Sequence, residues 1–313
     1  MTIGVDVGGT KVAAGVVSES GELLDECRRE TPEDDTAALE QIIVEVVEQL
    51  KAEHEVEAVG IGVAGYIDAD RATVLFTPNL AWRHVPLRKV IESRVQLPVV
   101  VENDANAAAW GEFRFGAGED VDDLLMVAVG TGIGGGIVIK GEILRGSFGV
   151  AGEVGHLRVV PQGHLCGCGQ RGCWEQYASG TALVREARRR IAAGDVAAKA
   201  LVDGVGGDVD EIDGPVITAH AQQDDPFCLD LLSDLGTWLG EGIASLTTVL
   251  DSGVVVIGGG VSEAGELLLG PAREAYLNSL PAAEHRPHLG LRLATLGNEA
   301  GMIGVADLAR SVG

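Results

Sequence analysis

Short apolar runs that end in glycines recur along the chain and predict buried strands. The first run, TIGVDVG at 2–8, is followed by KVAAGVVS at 11–18, which reads as its hairpin partner. The segment LLDECRRET at 23–31 reads as a possible third strand, and the runs at 56–65 and 97–104 read as further strands. Between them, TAALEQIIVEVVEQLKAE has apolar residues at helical spacing and predicts an amphipathic helix.

The same pattern starts again near Asp123, where DLLMVAVGTG runs into glycines and GGGIVIKGEI follows as a hairpin partner. A strand, a glycine turn and a second strand therefore occur twice, which predicts two similar α/β halves. An acidic, glycine-rich segment at 192–215 is expected to form a surface loop or short helices. Further helices are predicted at 85–95, 105–116, 179–194, 228–250 and 299–311, and further strands at 253–262 and 291–296.

The composition narrows the class of protein. A chain of 313 residues is long enough for two domains with a sizeable core. Its formal net charge of −24 argues against a nucleic-acid partner, because phosphate backbones require a basic surface. The sequence opens without a basic and apolar leader, and its apolar runs are too short to span a membrane. We therefore expect a protein of the reducing cytoplasm, where structural disulfides are rare.

Glycine-rich turns at equivalent places in the two halves have the composition of a phosphate site. Without a Cβ, successive backbone N–H groups can approach and bind an anion. Either turn alone could be an ordinary hairpin, but a nucleotide held between DVGGTK and GTGIGGG accounts for both. Asp6 would then lie near Mg²⁺, and the third glycine segment, GGGVS, near the adenine or its ribose. The predicted nucleotide-site residues are Asp6, Gly8, Gly9, Thr10, Lys11, Gly130, Thr131, Gly132, Gly134, Gly258, Gly259 and Gly260.

Three of the five cysteines lie in one short segment, VGHLRVVPQGHLCGCGQRGCWEQY. Cys166, Cys168 and Cys173 with one imidazole make the four-ligand set typical of structural Zn²⁺. A disulfide or a redox thiol is the alternative, although the number of thiols is odd and Cys166 and Cys168 are too close for an unstrained bridge. Either His156 or His164 could supply the imidazole.

Polar residues follow an apolar strand in VVVENDANAAAW. Sites in open α/β sheets lie at the carboxyl ends of strands, so Asn103 and Asp104 are candidates for function. The structural alternative is that Asp104 caps the alanine-rich helix that follows. The residues alone leave both interpretations open.

The motifs DVGGTK, TPN, END, GTGIGGG, EVGH, CGCGQRGCWE and GGGVS occur in the order of the ROK family (repressors, open reading frames and kinases). The chain resembles this family over essentially its whole length, and within it looks most like the ATP-dependent glucokinases of actinobacteria. The resemblance implies an α/β fold of duplicated actin-like ATPase (ribonuclease H-like) domains with a cleft between them. It implies a small domain at 1–116 plus 299–313 and a large domain at 117–298 that carries the zinc loop.

The resemblance also implies an activity, the transfer of the γ-phosphoryl group of ATP to the 6-hydroxyl of D-glucose. Asp104 matches the family's general base, and His156 rather than His164 matches its zinc ligand. A closed site of four protein ligands would make the zinc structural rather than catalytic. The positions that match the family's glucose-binding residues are Gly65, Asn79, Asn103, Asp104, Glu153, His156 and Glu175.

Four alternatives stay open at this level. The first is a kinase of the same family for N-acetylmannosamine, mannose or fructose, since the residues that bind hydroxyls are shared. The second is a kinase that uses polyphosphate, although such relatives typically lack the cysteine motif. A sugar-sensing repressor would need an N-terminal helix-turn-helix domain, for which the phosphate loop at Asp6 leaves no room. An actin-like filament protein would not need the sugar motifs. The family further implies a homo-oligomer, a dimer or a tetramer.

The charge itself gives the first testable prediction. The acidic excess is typical of a very soluble protein, with adaptation to high salt as the sharper interpretation. Because ions screen repulsion between carboxylates, the melting temperature should rise as NaCl increases from low to moderate concentration. Thermal unfolding across a salt series checks this, and an unchanged or falling melting temperature would mean that the charges are too dispersed to matter.

Overall fold

The computed structural model describes residues 1–32 and 35–311, which form two compact units. The first unit comprises Met1–Met126, Gly136–Gly152 and Thr295–Gly313, and the second comprises Val127–Gly135 and Glu153–Ala294. The predicted domain division at 1–116 plus 299–313 and 117–298 stays a prediction. Among the described residues, no helix combines the length and the apolar character that crossing a membrane requires.

The first unit is built on a five-stranded sheet. Its strands, in chain order, are β1 (Thr2–Val7), β2 (Lys11–Val17), β3 (Leu23–Glu30), β4 (Ala58–Val63) and, after the three short strands below, β8 (Val99–Asn103). The order across the sheet is β3-β2-β1-β4-β8. Strand β1 pairs antiparallel with β2 and parallel with β4, and β4 pairs parallel with β8. Parallel pairing brings the carboxyl ends of β1, β4 and β8 to the same edge of the sheet.

A small three-stranded sheet lies between β4 and β8 in the chain, where the apolar pattern was too short to predict it. It consists of β5 (Tyr66–Ile67), β6 (Val74–Phe76) and β7 (Arg83–Val85), in the order β5-β6-β7. The helices of this unit are α1 (Thr36–Glu53), α2 (Leu87–Val95), α3 (Asp104–Phe115) and, near the C-terminus, α10 (Ala300–Ala309).

Glycines let helix α10 pack directly on the first sheet. A Cβ built on Gly4 of β1 would lie 2.0 Å from the carbonyl oxygen of Met302, and one on Gly60 of β4 would lie 2.0 Å from that of Val305. These two backbones approach so closely that a side chain cannot fit between them. The buried strand residues on the other face pack with α1 and α2 in one core.

The second five-stranded sheet repeats the order of the first. Its strands are β9 (Leu124–Val129), β10 (Ile133–Ile139), β11 (Glu142–Ile143), β12 (Val254–Gly258) and β13 (Gly290–Leu293), arranged β11-β10-β9-β12-β13. In each sheet the hairpin partner of the first strand and a third strand lie on one side of the first strand, and two later strands lie on the other. The repeated order confirms the prediction of a duplicated α/β fold.

The helices of the second unit are α4 (Glu175–Ala178), α5 (Gly180–Ala192), α6 (Lys199–Gly204), α7 (Gly214–Ala221), α8 (Pro226–Leu250) and α9 (Glu266–Ser279). The acidic segment at 192–215 forms short helices, as predicted. Helix α9 was not predicted, because Pro271 stands inside it and interrupts the pattern. It packs closely on α8, where a Cβ on Gly240 would lie 2.2 Å from the carbonyl oxygen of Ala272.

Candidate active site

Asp104 lies at the junction between β8 and α3, at the carboxyl edge of the first sheet. The N-cap of α3 is Asn103, whose side-chain oxygen accepts a hydrogen bond from the N–H of Asn106 at 3.0 Å. The capping role considered for Asp104 therefore belongs to its neighbour. Oδ1 of Asp104 accepts hydrogen bonds from the N–H of Ala105 at 2.9 Å and from Nδ2 of Asn103 at 3.1 Å.

Two carboxylates at this edge are poorly solvated. Burial raises the pKa of Asp104, and the hydrogen bonds from Ala105 and Asn103 only partly oppose the shift. Burial, followed by the charge of Asp104, raises the pKa of Asp6 from 3.8 to about 6, against the opposing charge of Lys11. Gly62 of β4 pairs with Asp6, and a Cβ on Gly62 would lie 4.0 Å from Cα of Asp104. A residue without a side chain thus separates the two acids, a role that the sequence did not reveal.

The predicted sugar residues of the first unit lie near this edge. Nδ2 of Asn103 donates to the carbonyl oxygen of Gly65 at 3.2 Å. Gly65 has to be glycine, because a Cβ there would lie 2.4 Å from the carbonyl oxygen of Phe76. Asn79 lies next to the first glycine turn, with its Cβ 3.5 Å from a Cβ built on Gly9. The structure therefore places a predicted sugar residue beside a predicted phosphate residue.

The first glycine turn is held by Thr31, the residue that follows strand β3. The N–H of Gly8 donates to the carbonyl oxygen of Lys11 at 3.0 Å, which closes the turn between β1 and β2. Thr31 donates its N–H to the carbonyl oxygen of Thr10 at 3.0 Å and its hydroxyl to that of Gly8 at 2.8 Å. Lys11 begins β2 and is exposed. Hydrogen bonds to the backbone carbonyl oxygens of Gly8, Thr10 and Lys11 therefore hold the turn in place.

In the second unit, the second and third glycine segments meet at one cavity. The cavity has a volume of about 850 Å³, and Gly130, Thr131 and Gly260 line it together. Gly134 instead lies within strand β10, and Gly259 packs on the backbone of Val129. The N–H of Gly180, at the start of α5, donates to the carbonyl oxygen of Gly130 at 2.8 Å and fixes the loop.

Sequence reasoning missed the remaining walls of this cavity, because they come from helix α5, the first half of α7 and the segment after β12. The only signal was small residues at helix starts, in SGTALV and DGPVIT. The cavity is large enough for a nucleoside, and most of its lining is apolar. The additional lining residues are Gly180, Thr181, Val184, Arg185, Arg188, Gly214, Pro215, Thr218, Val261 and Glu263.

The cysteine segment gathers four metal-ligating side chains. The donor atoms of His156, Cys166, Cys168 and Cys173 all lie within 4.8 Å of one another. Sγ of Cys168 is 3.6 Å from Sγ of Cys173, and Sγ of Cys166 is 3.7 Å from Nδ1 of His156. Zinc–sulfur bonds of about 2.3 Å in a tetrahedron place neighbouring sulfurs about 3.8 Å apart, so the four residues fit Zn²⁺. The five cysteines, all in the described part of the chain, are free thiols.

The other histidine of the segment is used differently. The ring of His164 packs on that of Tyr177 with centroids 5.3 Å apart, and the backbone N–H of His164 donates to the tyrosine hydroxyl at 2.9 Å. The loop requires a glycine at position 172, since Gly172 has a φ of 80° and a Cβ there would lie 1.7 Å from the carbonyl oxygen of Val160. His156 is therefore the imidazole that the structure places with the three thiols.

Two carboxylates flank His156 on opposite ring nitrogens. Nδ1, which faces the thiols, lies 3.8 Å from Glu175, and Nε2 lies 3.9 Å from Glu153. Oε1 of Glu175 accepts a hydrogen bond from the thiol of Cys166 at 2.9 Å. The same carboxylate contacts the second glycine loop, because a Cβ on Gly132 would lie 2.6 Å from Oε2. Glu175 thus joins the thiol cluster to the predicted phosphate loop within the second unit.

A further set of possible ligands is explained by helix capping. His220, Asp225 and Cys228 have donor atoms within 4.8 Å of one another. Asp225 is the N-cap of α8, accepting from the N–H groups of Phe227 and Cys228, and its other oxygen lies 3.2 Å from Nδ1 of His220. Burial, followed by the charge of Asp225, raises the pKa of Cys228 to about 12, which favours the neutral thiol.

Comparisons with known proteins agree with the motifs. The sequence model of the ROK family matches residues 2–312. A glucokinase of Streptomyces coelicolor is 48% identical over 310 residues, covering 99% of this chain and 98% of that protein. An N-acetylmannosamine kinase of Escherichia fergusonii is 35% identical over 312 residues, covering 99% and 98%.

Among solved structures, this chain is similar to a ROK family glucokinase from Streptomyces griseus, crystallised in complex with glucose and AMPPNP. The TM-score is 0.89, the sequences are 52% identical, and 99% of each chain is covered. The motifs, the duplicated fold and these full-length similarities agree, and the chain belongs to the ROK family.

Proposed function

We propose that this protein is an ATP-dependent glucokinase, which transfers the γ-phosphoryl group of ATP to the 6-hydroxyl of D-glucose and yields glucose 6-phosphate and ADP. The observation that carries the proposal is the desolvated carboxylate of Asp104 at the carboxyl edge of the first sheet, in a chain 48% identical to a glucokinase. Its raised pKa suits a general base, because a base works best when its pKa approaches the working pH.

Each unit carries hydroxyl-binding groups that we assign to the acceptor sugar. From the first unit we assign Gly65, Asn79 and Asn103 together with Asp104, and their proximity to the base supports this role. From the second unit we assign Glu153, His156 and Glu175, which lie together beside the thiol cluster. His156 has Nδ1 toward the thiols and Nε2 on the opposite side of the ring, so one nitrogen can bind metal while the other faces the sugar.

The donor is held by the glycine turns. In the second unit, Gly130, Thr131 and Gly260 line a cavity of about 850 Å³ that suits the adenosine part of ATP. In the first unit, we assign the turn after Gly8 to phosphate, because a glycine turn lets backbone approach an anion. Asp6 would hold Mg²⁺ or its waters, since its desolvated carboxylate lies in the negative field of Asp104. When bound, Mg²⁺ neutralises phosphate charge, which with positioning is most of what phosphoryl transfer requires.

Zn²⁺ would be held by His156, Cys166, Cys168 and Cys173. Four protein ligands close the coordination sphere, so the metal stabilises the loop that carries Glu153 and Glu175 and takes no part in the chemistry. The division into domains at 1–116 plus 299–313 and 117–298, the cytoplasmic location and a homo-oligomeric state belong to the same proposal.

A coupled phosphorylation assay over a panel of sugars tests the proposal. With ATP, glucose should give the highest kcat/KM, above N-acetylmannosamine, mannose and fructose, because the identity to a glucokinase exceeds that to an N-acetylmannosamine kinase. Polyphosphate should not replace ATP. A preference for N-acetylmannosamine, or equal rates with polyphosphate, would assign a different member of the family.

Replacing the base separates chemistry from binding. Asp104→Asn keeps the side-chain size but cannot accept the proton of the 6-hydroxyl, so kcat should fall by about 10²–10⁴-fold. Folding and glucose binding should persist, since Asn103 remains the cap of α3. Steady-state kinetics and calorimetry with glucose make the comparison. A near-normal kcat would remove Asp104 as the base.

The thiol cluster predicts a metal requirement. Elemental analysis should find about one zinc per chain. Cys173→Ser should lower the zinc content, the melting temperature and the use of glucose, whereas Cys228→Ser, a buried thiol of the same unit outside the cluster, should keep the zinc. A fully active and equally stable protein without metal would show that the cluster holds no structural zinc.

Two glycines of one loop distinguish the donor site from the sugar site. A Cβ on Gly130 would meet no atom of the described residues within 4 Å, apart from its chain neighbours, so Gly130→Val fills the cavity alone. It should raise the apparent KM for ATP or abolish activity while calorimetry still detects glucose binding. Gly132→Val also displaces Glu175 and should weaken glucose binding as well. Normal ATP binding by a folded Gly130→Val protein would contradict the loop assignment.

A further inference from the structure

We infer that Glu102 is a positioning residue for the phosphoryl transfer and acts through Asn103 and Asp104. The inference rests on the proposed function, since it concerns the same base. The side chain of Glu102 is 0% exposed, although it is a carboxylate. A buried charge is costly unless it is paired and hydrogen-bonded, so its retention here calls for a physical account.

One oxygen of Glu102 is bound by two arginines. Oε2 accepts a hydrogen bond from Nε of Arg71 at 2.9 Å and lies 2.9 Å from Nε of Arg145. The side chains of Arg71 and Arg145 are themselves largely buried, at 23% and 10% exposure. The three charged groups thus form one ion cluster within the first unit, in which Arg71 makes the charge-assisted hydrogen bond and Nε of Arg145, which has no hydrogen-bond partner among the described residues, contributes its charge.

The other oxygen of Glu102 faces the start of helix α3. Oε1 accepts from the N–H of Asn103 at 2.8 Å and from Nδ2 of Asn106 at 3.2 Å. Asn103 comes directly before the first helical residue, Asp104. Its side chain caps the helix and donates to the carboxylate of Asp104. The carboxylate of Glu102 therefore fixes the backbone from which the proposed base projects.

The arginines are fixed in turn by backbone groups. Arg71 lies in the turn between β5 and β6 with a left-handed φ of 54°, and its carbonyl oxygen accepts from the N–H of Val101 at 3.0 Å. The terminal nitrogens of Arg145 donate to the carbonyl oxygens of Ala69 at 2.8 Å and Asp68 at 3.0 Å.

Through these contacts the ion cluster ties together three segments of the first unit, namely the end of β8, the β5–β6 turn and the stretch after β11. The β5–β6 hairpin begins directly after Gly65, whose carbonyl oxygen accepts from Nδ2 of Asn103. The cluster orients the base and Asn103, and none of its three residues lines the cavity that contains Gly130, so its loss should affect the chemical step and the sugar more than ATP.

Glu102→Gln is the informative variant, because it keeps the shape and one acceptor oxygen for Asn103 but turns a donor toward the arginines. We expect kcat to fall by about 10- to 100-fold, since small misplacements of a catalytic group cost this much. The KM for ATP should change by less than about twofold, and the KM for glucose should rise. Rates are measured below the melting temperature of each variant and normalised to the folded fraction.

A double-mutant cycle with Asp104→Asn distinguishes positioning from general destabilisation. If Glu102 acts through Asp104, Glu102→Gln should reduce the residual rate of Asp104→Asn by less than about twofold. Glucose 6-phosphate accumulated over hours measures these low rates. If the two losses multiply, or if Glu102→Gln alone keeps a near-normal kcat, Glu102 does not position the base.

Asp307→Asn is the matched control. Asp307 is also a buried acid paired with arginine, accepting from Nε1 of Trp110 at 2.8 Å and lying 3.4 Å from Nε of Arg310. Its partner Trp110 lies six residues after Asp104 on α3, about 9 Å along the helix at 1.5 Å per residue. Asp307→Asn should lower the melting temperature and leave kcat unchanged, and an equal loss of kcat in Glu102→Gln and Asp307→Asn would contradict the inference.

A wild-type protein inactive on glucose, or an active Asp104→Asn, would instead overturn the proposed function.

Discussion

Desolvation of two carboxylates at one edge of the first sheet is the constraint on which the active site depends. Parallel pairing of β1, β4 and β8 brings Asp6 and Asp104 to that edge, with Gly62 on the strand between them. Removing water raises the pKa of both acids, because the charged form loses its hydration. The same loss of water makes Asp104 a stronger base than an exposed aspartate and makes the region favourable for a cation.

The surrounding structure keeps these acids in place by close backbone packing and buried polar contacts. Gly4 and Gly60 allow α10 to lie directly against the sheet, so the strands that carry Asp6 and Gly62 have little freedom to shift. At the end of β8, the cluster of Glu102 with Arg71 and Arg145 fixes the first turn of α3. In the second unit, Glu175 contacts both Cys166 and the Gly132 loop, so the proposed metal loop and phosphate loop support each other.

The sequence predicted those features that are local or that repeat. The duplicated strand–turn–strand unit, the thiol cluster and the polar residues after β8 follow from spacing along the chain. The role of Glu102, the position of Gly62 beside Asp6 and the contact of Glu175 with the Gly132 loop could not be predicted, because each depends on partners distant in sequence, such as Arg145 for Glu102. The capping alternative named Asp104, one residue after the observed N-cap, since Asn and Asp cap equally well and only the backbone shows that Asn103 precedes the helix. Helix α9 was not predicted because Pro271 interrupts its pattern. Packing against α8 stabilises this helix despite the proline.

The central claim, that desolvated carboxylates do the chemistry, is tested most directly by the pH dependence of kcat/KM for ATP at saturating glucose, which reports the enzyme before Mg²⁺ and ATP would bind at Asp6. A carboxyl whose pKa is raised holds its proton to higher pH, so activity that needs the ionised form is lost as the pH falls through the raised value. The account predicts an acidic limb near the pKa of about 6 of Asp6, well above the ordinary value of 3.8, with Asp104 contributing in the same direction. A profile that stays flat down to the range of an exposed aspartate would contradict it.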